Sequence, residues 1–308
     1  MKTHVFRCFR GRVLLPALLT LLAFGASPGV GQEPPIFPSI TATPTNRHAP
    51  GRFVWHDLVT DDVAAAKRFY GELFGWEYGS NPENERFTII TLNDKPIGGI
   101  ILENTAERDL PTARWFSSVS VEDVDGAVEA ARDRSAEIDI PPSDLPDRGR
   151  YSVLHDPQGA ALVLLRATGG DPTTPAEYGA GEFLWTELWT RDASAAVSFY
   201  EAVLGYDSEF TGDETRRYFV MSRDGQPEAG IGQLPPVDAD PAWLPYVAVS
   251  SVREIVERVP ELGGEVILPP EAISRGSAAL IADPTGGIIA VQEWPLPNQG
   301  DSGAKEDR

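Results

Sequence analysis

Residues 51–76, GRFVWHDLVTDDVAAAKRFYGELFGW, and residues 181–206, GEFLWTELWTRDASAAVSFYEAVLGY, align without a gap at an offset of 130. Trp55 matches Trp185, Leu58 matches Leu188, Asp62 matches Asp192, Gly75 matches Gly205, and the pair Phe69-Tyr70 matches Phe199-Tyr200. Further along, Trp115 recurs as Trp243, Pro141-Pro142 as Pro269-Pro270, and Arg148-Gly149 as Arg275-Gly276. The turn Asp156-Pro157-Gln158-Gly159 recurs as Asp283-Pro284-Thr285-Gly286. So many identities in one order indicate a tandem duplication, with blocks at 51–167 and 181–296. Residues 32–50 and 168–180 are rich in Pro and Thr and read as linkers, and 297–308 as a polar, disordered tail.

Each block reads as β-α-β-β-β twice over, an α+β pattern. In block one, residues 53–60 are aromatic and β-branched, and Asp62 caps a helix reaching Leu73. Ala65, Ala66, Phe69, Tyr70 and Leu73 form one apolar stripe on that helix, suited to packing on a sheet. Gly75 supplies the positive φ that ends it. Strands at 87–92 and 97–102 follow, then a second unit: strand 116–121, cap Asp123, helix 124–134, and strands 151–155 and 160–165. Block two repeats the order.

The chain of 308 residues carries 46 acidic and 26 basic side chains, a formal charge of −20. Such a surface repels phosphate, so neither nucleic acid nor an anionic membrane is expected as partner. Cys8 is the only cysteine, which excludes an internal disulfide and a cysteine metal site. Four basic residues, Lys2, Arg7, Arg10 and Arg12, precede an apolar run at 13–24 and small residues at 25–31. That order predicts a signal peptide over 1–31, cleaved between 25 and 31, and hence an exported, cysteine-free protein. The alternative is an uncleaved anchor, but the run is short of the ~20 residues a span needs, and Pro16 interrupts it.

The Asp-capped helix, the Phe-Tyr pair, the LFGW/VLGY exit and the closing DPxG hairpin together resemble the glyoxalase/bleomycin-resistance/dioxygenase superfamily, the vicinal oxygen chelate fold. Within it the pattern is similar to the two-domain glyoxalase-like branch. The resemblance implies two tandem domains, each folding paired βαβββ units into a cup-shaped mixed sheet with its ligand cavity inside. It also implies where a metal would sit: a His or Gln seven residues before the capping Asp, and a Glu seven residues after the Asp of DPxG. Those positions hold Trp55, Phe116 and Val163 in block one, and Trp185, Leu244 and Ala290 in block two. None offers imidazole or carboxylate, so no metal and no cofactor is expected.

Strand alternation puts Asp57 on the face of Trp55, and Glu187 on the face of Trp185 and Trp189. A carboxylate there is a candidate general acid or base; the competing role is to accept hydrogen bonds from Arg or backbone and hold the sheet. Arg148 and Arg275 precede cup strands, placed either to clamp an anionic ligand or to pair with Asp57 and Glu187. His56 falls on the opposite face and is read as a hydrogen-bonded structural residue. Trp115 and Trp243 either wall the cavity or pack beneath it. Gln292 shares a face with Ala290, which makes the second cup the more polar and roomier one, and the better fit to a small polar ligand. Three functions remain open: a metal-free protein binding a small aromatic or carbonyl-containing molecule, a lyase, isomerase or dioxygenase-type enzyme with a relocated site, and a non-catalytic interaction module. Pairing of the blocks within one chain favours a monomer.

Overall fold

The computed structural model describes residues 37–81, 84–103, 113–212, 217–234, 240–273 and 277–296. Residues 1–31, read from the sequence as a signal peptide, the tail 297–308 and Arg275 lie outside them. Block one supplies β1 (Phe53–Thr60), α1 (Val63–Phe74), β2 (Glu77–Ser80), β3 (Phe87–Leu92), β4 (Lys95–Leu102), β5 (Arg114–Ser120), α2 (Val124–Arg132), β6 (Glu137–Leu145), β7 (Gly149–His155) and β8 (Ala161–Ala167). Block two supplies β9 (Phe183–Thr190), α3 (Ala193–Leu204), β10 (Asp207–Phe210), β11 (Tyr218–Arg223), β12 (Gln226–Gln233), β13 (Ala242–Val249), α4 (Val252–Arg258), β14 (Glu265–Leu268), α5 (Pro270–Ile273), β15 (Ala278–Ala282) and β16 (Ile288–Glu293).

Each block forms one eight-stranded mixed sheet. In block one the order is β2-β3-β4-β1-β5-β8-β7-β6, and block two repeats it as β10-β11-β12-β9-β13-β16-β15-β14. Parallel β1–β4 and β5–β8 close the two units, and antiparallel β1–β5 joins them. The paired α+β units expected from the sequence are therefore present. The caps also form: Asp62 accepts from the Ala65 amide at 2.9 Å, and Gly75 ends α1 at φ 71°.

Four strands of the β-α-β-β-β pattern lie at positions the sequence reading did not assign: β2, β6, β10 and β14. All lie at or beside a sheet end, where ladder pairing and not hydrophobic alternation defines them. Pro141 and Pro142 sit within β6, an edge strand whose register shifts between Ile138 and Ile140 and again before Ser143. An edge tolerates their missing N–H groups. In block two the matching Pro269 and Pro270 instead end the strand and begin α5.

The helical faces of the two sheets pack on each other. One apolar core joins α1 and its strands to β13, β15 and β16 of the other block, through Ala66, Phe69, Tyr70, Val247, Ile281 and Ile289. A second core joins α2 and its strands to α3 and block two's first unit. Burying a side chain such as Phe69 contributes roughly 1.5–3 kcal/mol, so each block supplies part of the other's core. The Phe-Tyr pair and the DPxG turn meet across this boundary. The Tyr70 hydroxyl donates to Asp283 at 2.8 Å and accepts from Trp115 Nε1 at 3.0 Å. Tyr200 donates to Asp156 at 3.0 Å and accepts from Trp243 Nε1 at 2.9 Å. Trp115 and Trp243 thus belong to the inter-block core, which excludes them from the cup walls.

Candidate functional site

The opposite face of each sheet forms a cup, and the two cups differ sharply in free space. In the first, the cup-facing residues Trp55, Asp57, Phe116 and Val163 lie beneath a segment read as linker. Phe37 and Ile40 are each 1% exposed and join the cup core with Val59, Phe87 and Ile101. The segment's described residues, 37–50, form no helix or strand. Asp171 fastens it: its backbone N–H donates to the Arg47 carbonyl at 2.7 Å, and its carboxylate accepts from the Ala49 amide and Ser120 Oγ, each at 2.7 Å. What remains open is a cavity of about 30 Å³, room for about one water.

Asp57 sits in the floor of this filled cup. It accepts from Trp55 Nε1 at 2.8 Å and from Arg148 Nη1 at 2.8 Å. The Arg148 guanidinium lies 5.0 Å from the Trp55 ring, 5.1 Å from Phe87 and 5.3 Å from Phe37. Burial lowers its pKa, and the Asp57 charge opposes that shift. Of the two roles open to Arg148, pairing with Asp57 is the one the geometry displays. A Cβ at residue 99 would come within 2.3 Å of Asp57 Oδ1 and 2.4 Å of the Phe87 ring, so only glycine fits under this pair.

The second cup opens into a cavity of about 1510 Å³, which continues past its rim into a groove at Arg52 and Tyr178. Glu187 lies on its floor. Oε1 accepts from Trp189 Nε1 at 2.8 Å and Oε2 from the Tyr218 hydroxyl at 3.2 Å, and the Tyr246 hydroxyl also bonds Glu187. Trp185 Nε1 donates to Tyr218 at 3.3 Å. Burial first, then Glu187, pushes the Tyr218 and Tyr246 phenols up, so both remain neutral donors. Tyr218 occupies the place of Phe87, and Gly230 that of Gly99; a Cβ at 230 would lie 2.1 Å from the Tyr218 hydroxyl. Gln292 also lines the cavity, with Nε2 donating to the Ser277 carbonyl at 3.0 Å and not to Glu187. Leu244 and Ala290 are buried beside Tyr246 in the cup's apolar wall.

Sequence reasoning missed Tyr218, Tyr246 and Phe37. Tyr246 was within reach, two residues from Leu244 on the same strand face. Tyr218 requires the two blocks to be registered across loops of different length. Phe37 gives no signal, because it lies in a stretch without periodicity.

The six positions that the resemblance assigns to metal ligands face the cups and present indole, phenyl, isopropyl, isobutyl and methyl groups. Such a set does not fit a divalent metal. Among the described residues no three His, Cys, Asp or Glu side chains cluster in a way that could hold one. His56 lies on the inter-block side, buried, bonded through Nδ1 to Ser117 Oγ at 3.0 Å and packed on Phe183. Burial lowers its pKa to about 3, so the ring is neutral. His155 pairs with Asp139 at 3.0 Å, away from either cup.

The fold and the paired cups agree with comparison to known proteins. The family model of the Glyoxalase/Bleomycin resistance protein/Dioxygenase superfamily matches residues 52–164 and again 182–291, and the chain belongs to that superfamily. CFP32 of Mycobacterium tuberculosis, provisionally named a glyoxylase, is 33% identical over 251 residues, covering 80% of this chain and 95% of CFP32. The anthracycline biosynthesis protein DnrV of Streptomyces peucetius is 30% identical over 266 residues, covering 80% and 94%. Among solved structures, the Mn(II)-bound glyoxalase of Novosphingobium aromaticivorans superposes with a TM-score of 0.55 at 13% identity, over 79% of this chain and 82% of that one. The 2,3-dioxygenase LapB of Pseudomonas sp. KL28 gives 0.53 at 14%, over 82% and 96%. At these identities the two structures share the fold alone.

Proposed function

We infer that this is an exported, metal-independent glyoxalase-like protein that binds one small aromatic or carbonyl-containing molecule per chain, in the second cup. One observation carries the reading: the cavity that opens over Glu187 and its aromatic ring of Trp185, Trp189, Tyr218 and Tyr246, and runs on to Arg52 and Tyr178, measures about 1510 Å³ in all, whereas the first cup keeps about 30 Å³. The aromatic walls favour a planar ligand, and Glu187 with Gln292 supplies hydrogen-bonding groups that orient it. The likeness to CFP32 and DnrV over nearly their whole length supports a small-molecule role. The N-terminal basic and apolar run supports export, with no further membrane contact; among the described residues no helix is long and apolar enough to cross a membrane. With both helical faces covered within the chain, a monomer suffices.

Tryptophan fluorescence tests the choice of cup. A bound aromatic ketone quenches the wild-type signal. Quenching that survives Trp55→Phe and is lost in Trp185→Phe supports the second cup, and the reverse pattern overturns it. A second reading, turnover with Glu187 as general base, is favoured by the position of that carboxylate at the base of the open cavity. It requires Glu187→Gln to abolish product formation while binding persists.

A further inference from the structure

We propose that the first cup is a site for a neutral aryl ketone or aldehyde, which the chain fills with its own residues 37–40. The segment offers the Arg148 guanidinium two adjacent groups. The Phe37 ring lies 5.3 Å from its carbon, and the Pro38 carbonyl accepts from Nε at 3.2 Å. One aromatic ring with one carbonyl beside it is what an aryl ketone presents. Asp57 already neutralises Arg148, so an anion gains little here. Arg148 Nη2 is buried with no hydrogen-bond partner among the described residues, leaving a donor for a second ligand oxygen. Arg148 also lines the residual cavity, together with Phe116 and Tyr151.

A purely structural filling accounts poorly for this arrangement. A charged pair enclosed by three aromatic rings is costly to desolvate, and a hydrocarbon core of equal volume is as stable or more so. Recognition of a polar aromatic molecule explains why the pair stands there. Residues 45–49 are fastened by backbone and carboxylate bonds through Gly169 and Asp171, whereas residues 37–40 are held by the Arg148–Pro38 bond and by burial of Phe37 and Ile40. Among the described residues the second cup has no counterpart to this segment: at the block offset residues 37–40 correspond to 167–170, where β8 ends.

The test compares the full chain with a chain beginning at Thr41, using 2-acetylnaphthalene and 2-ethylnaphthalene as probes in titration calorimetry. The shortened chain gains one ketone site over the full chain. That site prefers ketone to hydrocarbon roughly tenfold, about one charge-assisted hydrogen bond. Arg148→Lys, which keeps Asp57 paired but removes the planar face, brings the preference below about threefold. An unchanged site count, equal affinity for both probes, or a preference that survives Arg148→Lys overturns the proposal. The gain of one site is read as a difference, so it stands whether or not the second cup binds the probe. If circular dichroism shows the shortened chain unfolded, Phe37→Ala in the full chain vacates a ring-sized space, to be probed with acetophenone against ethylbenzene under the same criteria.

Discussion

Replacing Tyr70 by Phe removes a single oxygen and tests whether the two blocks are one cooperative unit. In the native chain that hydroxyl donates to Asp283 Oδ2 and accepts from Trp115 Nε1. Burial, reinforced by Asp283, holds the phenol well above its ordinary pKa, so it remains a donor across the working pH range. Without it, Asp283 keeps its bonds from Thr285 and Gly287 on Oδ1 but loses the one reaching across from α1. A bond to a charged acceptor is worth about 1.5–3 kcal/mol, and leaving the Trp115 indole N–H unpaired costs about 1–3 kcal/mol. The two losses share one atom and overlap, so about 3 kcal/mol is expected in total. For a chain of this size that lowers Tm by roughly 6–12 °C. Urea unfolding followed by tryptophan fluorescence should show one transition, displaced as a whole, with tryptophans of both blocks moving together. Tyr200→Phe should do the same through Asp156. A loss below about 1 kcal/mol, or two separate transitions, refutes the reasoning.

Further outcomes follow from the cups and their surroundings. Purified protein dialysed against chelator should retain neither Zn, Ni, Mn nor Fe in stoichiometric amount by elemental analysis, and its ligand binding should be unchanged. Asp57→Asn leaves Arg148 buried without its counter-charge and should cost about 3–5 kcal/mol in denaturant unfolding, whereas the loss for Glu187→Gln, where the carboxylate is only partly buried and accepts from the neutral donors Trp189 and Tyr218, should be much smaller. Gly99→Ala drives a methyl group into Asp57 and Phe87, with an expected loss of about 1–3 kcal/mol. Glu228 is raised from 4.5 to about 7 by burial, partly offset by Arg52. Between those values the folded chain binds the proton more tightly than the unfolded chain, so this group's contribution to stability falls as pH rises through the window. Glu228→Gln should remove that part of the slope, measured as Tm against pH.

The fold was legible because duplication displayed each motif twice. The apolar stripe of α1, the capping aspartates and the DPxG turns all rest on local chemistry, and each formed where its residues stand. The edge strands were illegible for the opposite reason: Pro141-Pro142 opposes a strand locally, and only pairing with β7 makes one. At the site, strand parity correctly set Asp57, Glu187 and Gln292 on the cup faces. It could not tell that Arg148 is committed to Asp57, since that contact joins residues 91 positions apart. Nor does any periodicity reveal that a Pro- and Thr-rich stretch would bury Phe37 and Ile40 in one cup and leave its duplicate open.

The crossed Tyr–Asp bonds bear on how such a chain arose. Each block donates from its Phe-Tyr helix and accepts at its DPxG turn, so two identical copies of one block, facing as these do, would exchange the same bond in both directions about a two-fold axis. A symmetric dimer of single blocks would already contain both Tyr–Asp bonds of this boundary, and fusion through 168–180 makes that pairing permanent. Once both partners travel in one chain, they are free to diverge. One cup can close over a segment of the chain while the other stays open, an asymmetry that a homodimer encoded by a single copy cannot write into its sequence.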